Sequence, residues 1–146
     1  EPKNLIGLKR EMALDSDETP DLFRTFMPRR KEILHRSNEQ VIDLKIYPPD
    51  YFKRIFISTP FLKWAVVEVD IFEKIPQGME RVDFLGGLYA MFQVPGTQAN
   101  HQVFTDIFSH WLPSSGFELD DRPHFDVLNF GENNNFQEIY IPLTQK

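Results

Sequence analysis

Residues 125–143, FDVLNFGENNNFQEIYIPL, decide the fold of this chain. Two runs rich in Phe, Ile, Val and Leu flank a central GENNN segment, and Pro142 lies near the end of the second run. Hydrophobic runs of this length on either side of Gly and Asn residues are typical of two strands joined by a turn. The sequence therefore predicts a β-hairpin formed by residues 125–130 and 136–143.

Glu138 is a charged residue inside the second strand of this hairpin. Because side chains alternate along a strand, Glu138 shares a face with Phe136 and Tyr140, whereas Ile139 and Ile141 point to the other face. A carboxylate beside two aromatic rings is either a solvated surface group or a charge placed in an apolar site. The strand pattern alone favours the solvated group.

The first half of the chain shows strand, helix, strand and strand in that order. Residues 5–12, 41–47 and 61–72 have strand patterns. Thr19 and Pro20 predict a helix start, with Thr19 as the N-cap, and Pro28 is expected to break a short helix before a second one that runs to about Arg36.

The second half repeats this order, with a strand at 87–94, an amphipathic helix at 98–111 and the hairpin. This repetition predicts a single domain made of two similar units, residues 1–80 and 81–146. Two β-α-β-β units can join into one antiparallel sheet with both helices on one face, which is an α+β fold. A cleft is expected near the pseudo-twofold axis, either between the halves or on the uncovered side of the sheet.

The composition excludes several classes of function. The 146 residues carry a formal net charge of −6, which argues against direct nucleic-acid contact by this domain. The chain has no cysteine, so disulfides and thiolate chemistry are excluded. It also has no apolar run long enough for a membrane helix, and we expect a cytoplasmic protein.

Catalytic and metal-binding patterns are also missing from the sequence. His101 and His110 lie nine positions apart rather than at the i, i+4 spacing of a helical metal site. The serines are not set in a G-x-S-x-G frame, and the chain has no glycine-rich phosphate loop. We therefore predict no metal, no cofactor and no catalytic residue.

Aromatic and acidic side chains on the predicted strands are candidates for a ligand site. The chain contains 14 Phe residues, enough to fill a core and also to line a pocket for flat apolar ligands. Glu68 shares its strand face with Trp64, much as Glu138 does with Tyr140. For each aromatic residue alone, an ordinary core position is the simpler interpretation. The candidate ligand-binding residues are Glu138, Tyr140, Glu68, Trp64, Tyr89, Phe92 and Tyr47.

Four motifs in a fixed order resemble the effector-binding domain of the GyrI-like superfamily, the ligand-sensing part of many AraC-type and MerR-type multidrug regulators. They are GGLYAMFQVPG (86–96), FSHWLPSSGFEL (108–119), PHFDVLNF (123–130) and EIYIPL (138–143). The upstream stretches EPKNLIGLKRE and PQGM extend the resemblance over essentially the whole chain.

The resemblance implies a duplicated β-α-β-β fold and a cleft between the halves that binds a small organic molecule, typically cationic and aromatic. It also implies a buried glutamate on the last strand as the counter-charge, and Glu138 matches that position. A DNA-binding partner domain is expected for a transcription regulator, and no helix-turn-helix pattern is visible within these 146 residues. Pairing of outer strands would give a homodimer.

Two departures from the family pattern leave the ligand open. Asp126 and Leu128 stand where relatives often have Glu and Tyr, and Val94 precedes Pro95-Gly96 where relatives often have a polar residue. Two other functions are alternatives to ligand binding. A hydrolase would use Glu138 as general base with Tyr140 or Tyr89 as a helper, and an inhibitor of another protein would use the acidic surface.

Overall fold

The computed structural model describes residues 1–95, 101–130 and 135–146. Within these residues the chain forms one antiparallel sheet of eight strands with helices on one face, which confirms the predicted α+β fold. The strands are β1 (Lys3–Met12), β2 (Val41–Ile46), β3 (Phe61–Val69), β4 (Glu80–Phe84), β5 (Tyr89–Pro95), β6 (Phe117–Leu119), β7 (His124–Asn129) and β8 (Phe136–Gln145).

The two main helices lie between β1 and β2 and between β5 and β6. Helix α1 spans Thr19–Arg29 and is followed by a 3-10 turn, Arg30–Glu32. The second helix consists of an α-helical turn, a π-helical segment and a final α-helical turn. Their bounds are His101–Thr105 (α2), Asp106–Trp111 and Leu112–Ser114 (α3), and a further 3-10 turn, Tyr51–Lys53, precedes β3.

The pair β2–β7 lies at the centre of the sheet, with β3 and β8 on either side of it. The order is β4-β1-β3-β2-β7-β8-β5, and β6 adds to β8. At the centre Asp43 of β2 lies opposite Asp126 of β7. Strand β4, which begins at the predicted boundary between the two units, pairs with β1 of the first unit. The predicted hairpin forms by pairing of β7 with β8, and residues 131–134 of its linker lie outside the described residues.

Both helices cover the same face of the sheet, here called the helix face. One row of directly opposed residues runs Ala65–Asp43–Asp126–Ile139 across the four central strands. Directly opposed residues share a face. Ala65 packs in the core cluster that contains α1, and Ile139 packs with Ile107 of the second helix. The other side of the sheet is called the opposite face.

The opposite face carries a core of its own although no helix of the described chain packs there. The edge strands β4 and β5 approach each other on this side, where the rings of Phe84 and Tyr89 are 5.7 Å apart. The buried residues of this cluster are Leu5, Ile42, Leu44, Trp64, Val66, Phe84, Phe125 and Val127. Apolar strand residues are therefore buried on both faces of the sheet.

Helix α1 differs from the prediction at both ends. Thr19 is the first helical residue rather than the N-cap, and Asp17 Oδ1 accepts a hydrogen bond from the backbone N–H of Thr19 at 3.0 Å. Pro28 does not break the helix, which continues to Arg29. Since Pro28 lies in the last turn, its missing N–H costs a single hydrogen bond at an end where the helix is already finishing.

The predicted helix running on to Arg36 is wrong. After the 3-10 turn the backbone of Ile33 is extended, with φ −85° and ψ 123°. This conformation brings the Ile33 side chain into the core beneath α1, where it is buried. Burial of a β-branched residue therefore prevails over continuation of the helix.

The second helix follows the predicted amphipathic pattern. The start predicted at Gln98 lies outside the described residues, and the described part runs from His101 to Ser114. Trp111 packs against the core beneath this helix. None of the helices in the described part of the chain is long and apolar enough to cross a membrane.

Candidate functional site

A cleft lies on the helix face between α1 and the second helix. Two adjoining hollows of about 640 and 690 Å³ share the side chains of Asp17, Lys45, Lys63 and Phe104. The cleft lies between the helices because they pack over different parts of the sheet. Helix α1 covers β1, β3 and the start of β2, and the second helix covers β5 and β8. Each hollow has a volume within the range of pockets that hold drug-sized molecules.

The walls of the cleft are aromatic. The rings of Tyr47 and Tyr51 are 4.6 Å apart, and the ring of Phe52 stacks on Phe108 of the second helix at 5.6 Å. Phe104 lines both hollows. Rings contributed by two separate elements thus converge on one space, which suits a flat apolar ligand.

The floor of the cleft contains two carboxylates and two ammonium groups. Lys45 Nζ lies 2.7 Å from Asp126 Oδ2 and 3.8 Å from Asp43 Oδ1. Lys63 Nζ lies 3.4 Å from Asp43 Oδ2. All four side chains are largely buried, so these pairs are weakly screened by solvent, and their charges balance.

Neutral polar groups complete this network. Thr19 Oγ1 accepts a hydrogen bond from Lys63 Nζ at 2.8 Å, and Gln137 Nε2 donates one to Asp126 Oδ2 at 3.0 Å. At the rim, burial would raise the pKa of the Asp17 carboxyl, but the hydrogen bonds from Thr19 outweigh it and hold that pKa below its usual range. Asp17 therefore adds a negative charge to the cleft entrance.

Burial by itself would lower the pKa of Lys45 and raise the pKa of Asp126. Burial alone would lower the pKa of Lys45, but attraction by Asp126 and Asp43 outweighs it and raises that pKa. Burial raises the pKa of the Asp126 carboxyl, and Lys45 acts against that rise. Lys45 is thus protonated at neutral pH, and it is the main group that favours an ionised Asp126.

The structure brings Tyr47 into this cleft and separates it from most of the other predicted residues. Trp64, Tyr89 and Tyr140 pack in the cluster of the opposite face. Tyr140 lies parallel to Phe125, with ring centroids 4.5 Å apart. Phe92 lies on the helix face, but it packs edge-to-face on Trp111 at 5.0 Å.

The two predicted acids also lie on the opposite face. Glu138 is opposite Val127, a buried member of that cluster, and is half-buried. Glu68 pairs with Lys3 at 3.5 Å. Strand alternation thus places Glu138 and Glu68 on the side of the sheet away from Asp43 and Asp126. Their part in ligand binding stays a prediction.

Asp43, Lys45 and Lys63 were not among the residues predicted from the sequence. The signal is present in VIDLKIY, residues 41–47, where one strand face reads Val, Asp, Lys, Tyr and the other reads Ile, Leu, Ile. Charged residues in a strand that is paired on both sides and apolar on its other face indicate a buried polar site. Asp126 was noted only because it stands where relatives often have Glu. In the structure it lies opposite Asp43 at the centre of the sheet.

His124 is buried at one side of the cleft. Its ring stacks on Phe52 at 5.0 Å and meets Tyr47 edge-on at the same distance. Burial, assisted by the positive charge of Lys45, lowers the pKa of His124 to about 3. His124 is therefore neutral in the folded protein at any physiological pH.

We expect His124 to make the folded protein less stable as the pH falls. In the unfolded chain the histidine takes up a proton at a pKa of about 6.5, whereas in the folded chain it does so only near pH 3. The contribution of neutral His124 to stability is therefore complete above pH 6.5 and is lost as the pH falls towards 3. Between pH 7 and pH 5 the loss should be about 2 kcal/mol. Urea unfolding gives the free energy of unfolding of the wild type and of His124→Gln at both pH values. The contribution of His124 is the difference between the two proteins in how much this free energy falls from pH 7 to pH 5.

The exposed His110 provides the matched control for this measurement. The His110→Gln variant should keep the pH dependence of the wild type. If His124→Gln also kept the wild-type dependence, the buried neutral state of His124 would be ruled out.

Three solved structures share this fold. A putative transcription regulation protein from Staphylococcus aureus MU50 is 12% identical with a TM-score of 0.67, and 98% of this chain aligns with 93% of that chain. An integron cassette protein from the mobile metagenome of Vibrio cholerae is 14% identical with a TM-score of 0.69, with coverage of 99% and 92%. The protein SAV2435, solved bound to tetraphenylphosphonium, is 14% identical with a TM-score of 0.66, with coverage of 98% and 89%.

Comparison with curated proteins finds no match. The model of the Cass2 family, described as integron-associated effector binding protein, matches residues 1–143. This match spans both halves of the sheet and both helices, and it confirms the resemblance to effector-binding domains. The chain therefore belongs to the Cass2 family of integron-associated effector binding proteins.

Proposed function

We propose that the cleft between the two helices binds a small aromatic molecule that carries a positive charge. The observation that carries this proposal is the buried pair of carboxylates, Asp43 and Asp126, at the bottom of an aromatic-walled cleft. Membership in an effector-binding family supports a binding function, and the tetraphenylphosphonium held by a protein of the same fold supports a lipophilic cation.

The position of Lys45 supports a cation at the cleft floor. Its ammonium lies between two carboxylates and 5.8 Å from the centroid of the Phe104 ring. Opposite charges and an aromatic face are the surroundings that a lipophilic cation requires. A ligand cation would share these carboxylates with Lys45 or displace its ammonium, so Lys45 sets how much attraction remains for the ligand.

The walls support a site that accepts several aromatic compounds. Stacking on Phe52, Phe104 and Phe108 gains apolar burial at about 25 cal/mol per Å² and imposes little directional selection. This is the multidrug type of binding. In a transcription regulator the occupied cleft would act on a DNA-binding partner domain.

A matched pair of ligands tests the charge. Tetraphenylphosphonium and tetraphenylborate have nearly the same shape and opposite charge. We expect micromolar binding of the phosphonium and at least tenfold weaker binding of the borate, because the aromatic walls and Asp17 favour a cation. Isothermal titration calorimetry on the full chain measures both, and stronger binding of the borate would contradict the proposal.

Two variants locate the site. Phe104→Ala removes a ring that lines both hollows and should weaken phosphonium binding about tenfold. Glu138→Gln tests the opposite face, where the predicted counter-charge lies. If Glu138→Gln lost phosphonium binding and Phe104→Ala kept the wild-type affinity, the binding site would lie on the opposite face and the proposal would be wrong.

A further inference from the structure

We propose that Asp43 Oδ1 is the hydrogen-bond acceptor for the ligand, so that this cleft selects protonated amines over quaternary cations. This inference rests on the proposed function and names the chemical class of the ligand. The distinction matters because a protonated amine and a quaternary cation carry the same charge and differ in whether they have an N–H to donate.

Asp43 Oδ1 is a buried oxygen without a hydrogen-bond partner among the described residues. The whole residue is 9% exposed. Lys45 Nζ lies 3.8 Å from this oxygen, which is beyond hydrogen-bonding distance. A buried acceptor left in this state costs stability, and a donor that reaches it recovers that cost.

The residue that carries this buried oxygen lines space that a ligand can enter. Asp43 lines the hollow of about 690 Å³, together with the apolar side chains of Phe23, Met27, Leu128 and Phe130. A ligand whose rings contact these side chains can direct an N–H at Asp43. The hollow thus combines an apolar surface for the body of the ligand with one acceptor for its amine.

The other carboxylate of the floor already accepts hydrogen bonds from this chain. Asp126 Oδ2 accepts hydrogen bonds from both Lys45 and Gln137. The residues beside the two acids also differ. Next to Asp43, Lys45 of β2 lies opposite Lys63 of β3, whereas next to Asp126, Leu128 of β7 lies opposite Gln137 of β8. The two acids are therefore not equivalent, and the unpartnered oxygen belongs to the first half.

The donor should be charged rather than neutral. Lys45 and Lys63 balance Asp43 and Asp126 without completing the hydrogen bonds of Asp43. A protonated amine donates a charge-assisted hydrogen bond, roughly twice as strong as a neutral one. The aromatic rings of the cleft add attraction for the same charge.

Chlorpromazine and its N-methyl quaternary salt test the proposal on the full chain. Both carry one positive charge and the same tricyclic ring at pH 7, and only the first has an N–H donor. We expect the wild type to bind chlorpromazine at least tenfold more tightly, the effect of one charge-assisted hydrogen bond. Equal affinities would overturn the proposal without the need for any variant.

Two isosteric variants separate the hydrogen bond from the overall charge. Asp43→Asn should reduce the preference for chlorpromazine to less than about threefold, because it removes the charged acceptor. Asp126→Asn removes the same charge from the same floor and should keep the wild-type preference while weakening both probes. A preference that falls equally in both variants would overturn the assignment to Asp43.

Failure of this inference and failure of the proposed function give different results. If both probes bind equally and Phe104→Ala weakens both, the cleft binds cations without using Asp43 Oδ1. If neither probe binds, or Phe104→Ala leaves both affinities unchanged, the cleft is not the binding site and both proposals fall.

Discussion

Lys45→Met is expected to lower the free energy of unfolding at pH 7 by about 3–5 kcal/mol. The substitution leaves the Asp126 carboxyl buried without the ammonium that lies 2.7 Å from it. Asp126 must then stay charged at high cost or take up a proton at neutral pH. Urea unfolding followed by circular dichroism measures the loss.

The double variant Lys45→Met with Asp126→Asn identifies the cause. It removes both charges, so it should recover a large part of the loss seen in the single variant. Lys53→Met is the matched control, since its side chain is 81% exposed beside Asp50, and it should cost at most about 1 kcal/mol. A double variant no more stable than the single one would contradict the account of the floor.

The same variant bears on function. Removing the Lys45 ammonium frees the carboxylates of the floor for a ligand cation. Tetraphenylphosphonium should therefore raise the melting temperature of Lys45→Met by more than it raises that of the wild type, because tighter binding to the folded state gives greater stabilisation. An equal shift in both proteins would indicate that the ligand cation does not use these carboxylates.

Gly7→Ala is expected to lower the free energy of unfolding by more than about 4 kcal/mol. A Cβ at Gly7 would overlap the carbonyl oxygen of Ala65 and lie 2.7 Å from the Cα of Val66. Both atoms belong to the backbone of β3, so no side-chain rotation relieves the overlap, and β1 must separate from β3 at the pair Gly7–Val66. Urea unfolding, or the loss of the folded circular dichroism spectrum, measures the effect.

Gly116 offers the matched control for steric overlap. An added Cβ there meets no heavy atom within 4 Å, and φ is +82°. Gly116→Ala should therefore cost about 1–2 kcal/mol from the left-handed backbone alone. A Gly7→Ala protein as stable as Gly116→Ala would show that β1 and β3 can adjust to an extra methyl group.

The order of elements could be predicted from the sequence because each strand and helix carries its own local pattern. Residues 125–143 predicted the pairing of β7 with β8, and alternation correctly placed Glu138 and Tyr140 on one strand face. Two strands were not predicted. β4 reads ERVDF, too charged to stand out, and β6 has three residues, so both depend on the neighbouring strand for their conformation.

The candidate site was harder to predict because local alternation does not reveal which strand face the helices cover. The row Ala65–Asp43–Asp126–Ile139 is set by pairing between residues far apart in the sequence. The paired strands place Asp43 and Asp126 under the cleft and Glu138 on the opposite face. Lys45 and Lys63 become neighbours through the same register, which no local pattern in either strand specifies.

A crystal structure of the chain with tetraphenylphosphonium would show directly which face of the sheet binds a lipophilic cation. We expect phenyl rings against Phe52, Phe104 and Phe108, with the phosphonium centre over the floor formed by Asp43 and Asp126. A ligand bound on the opposite face, against Glu138 and Tyr140, would contradict it.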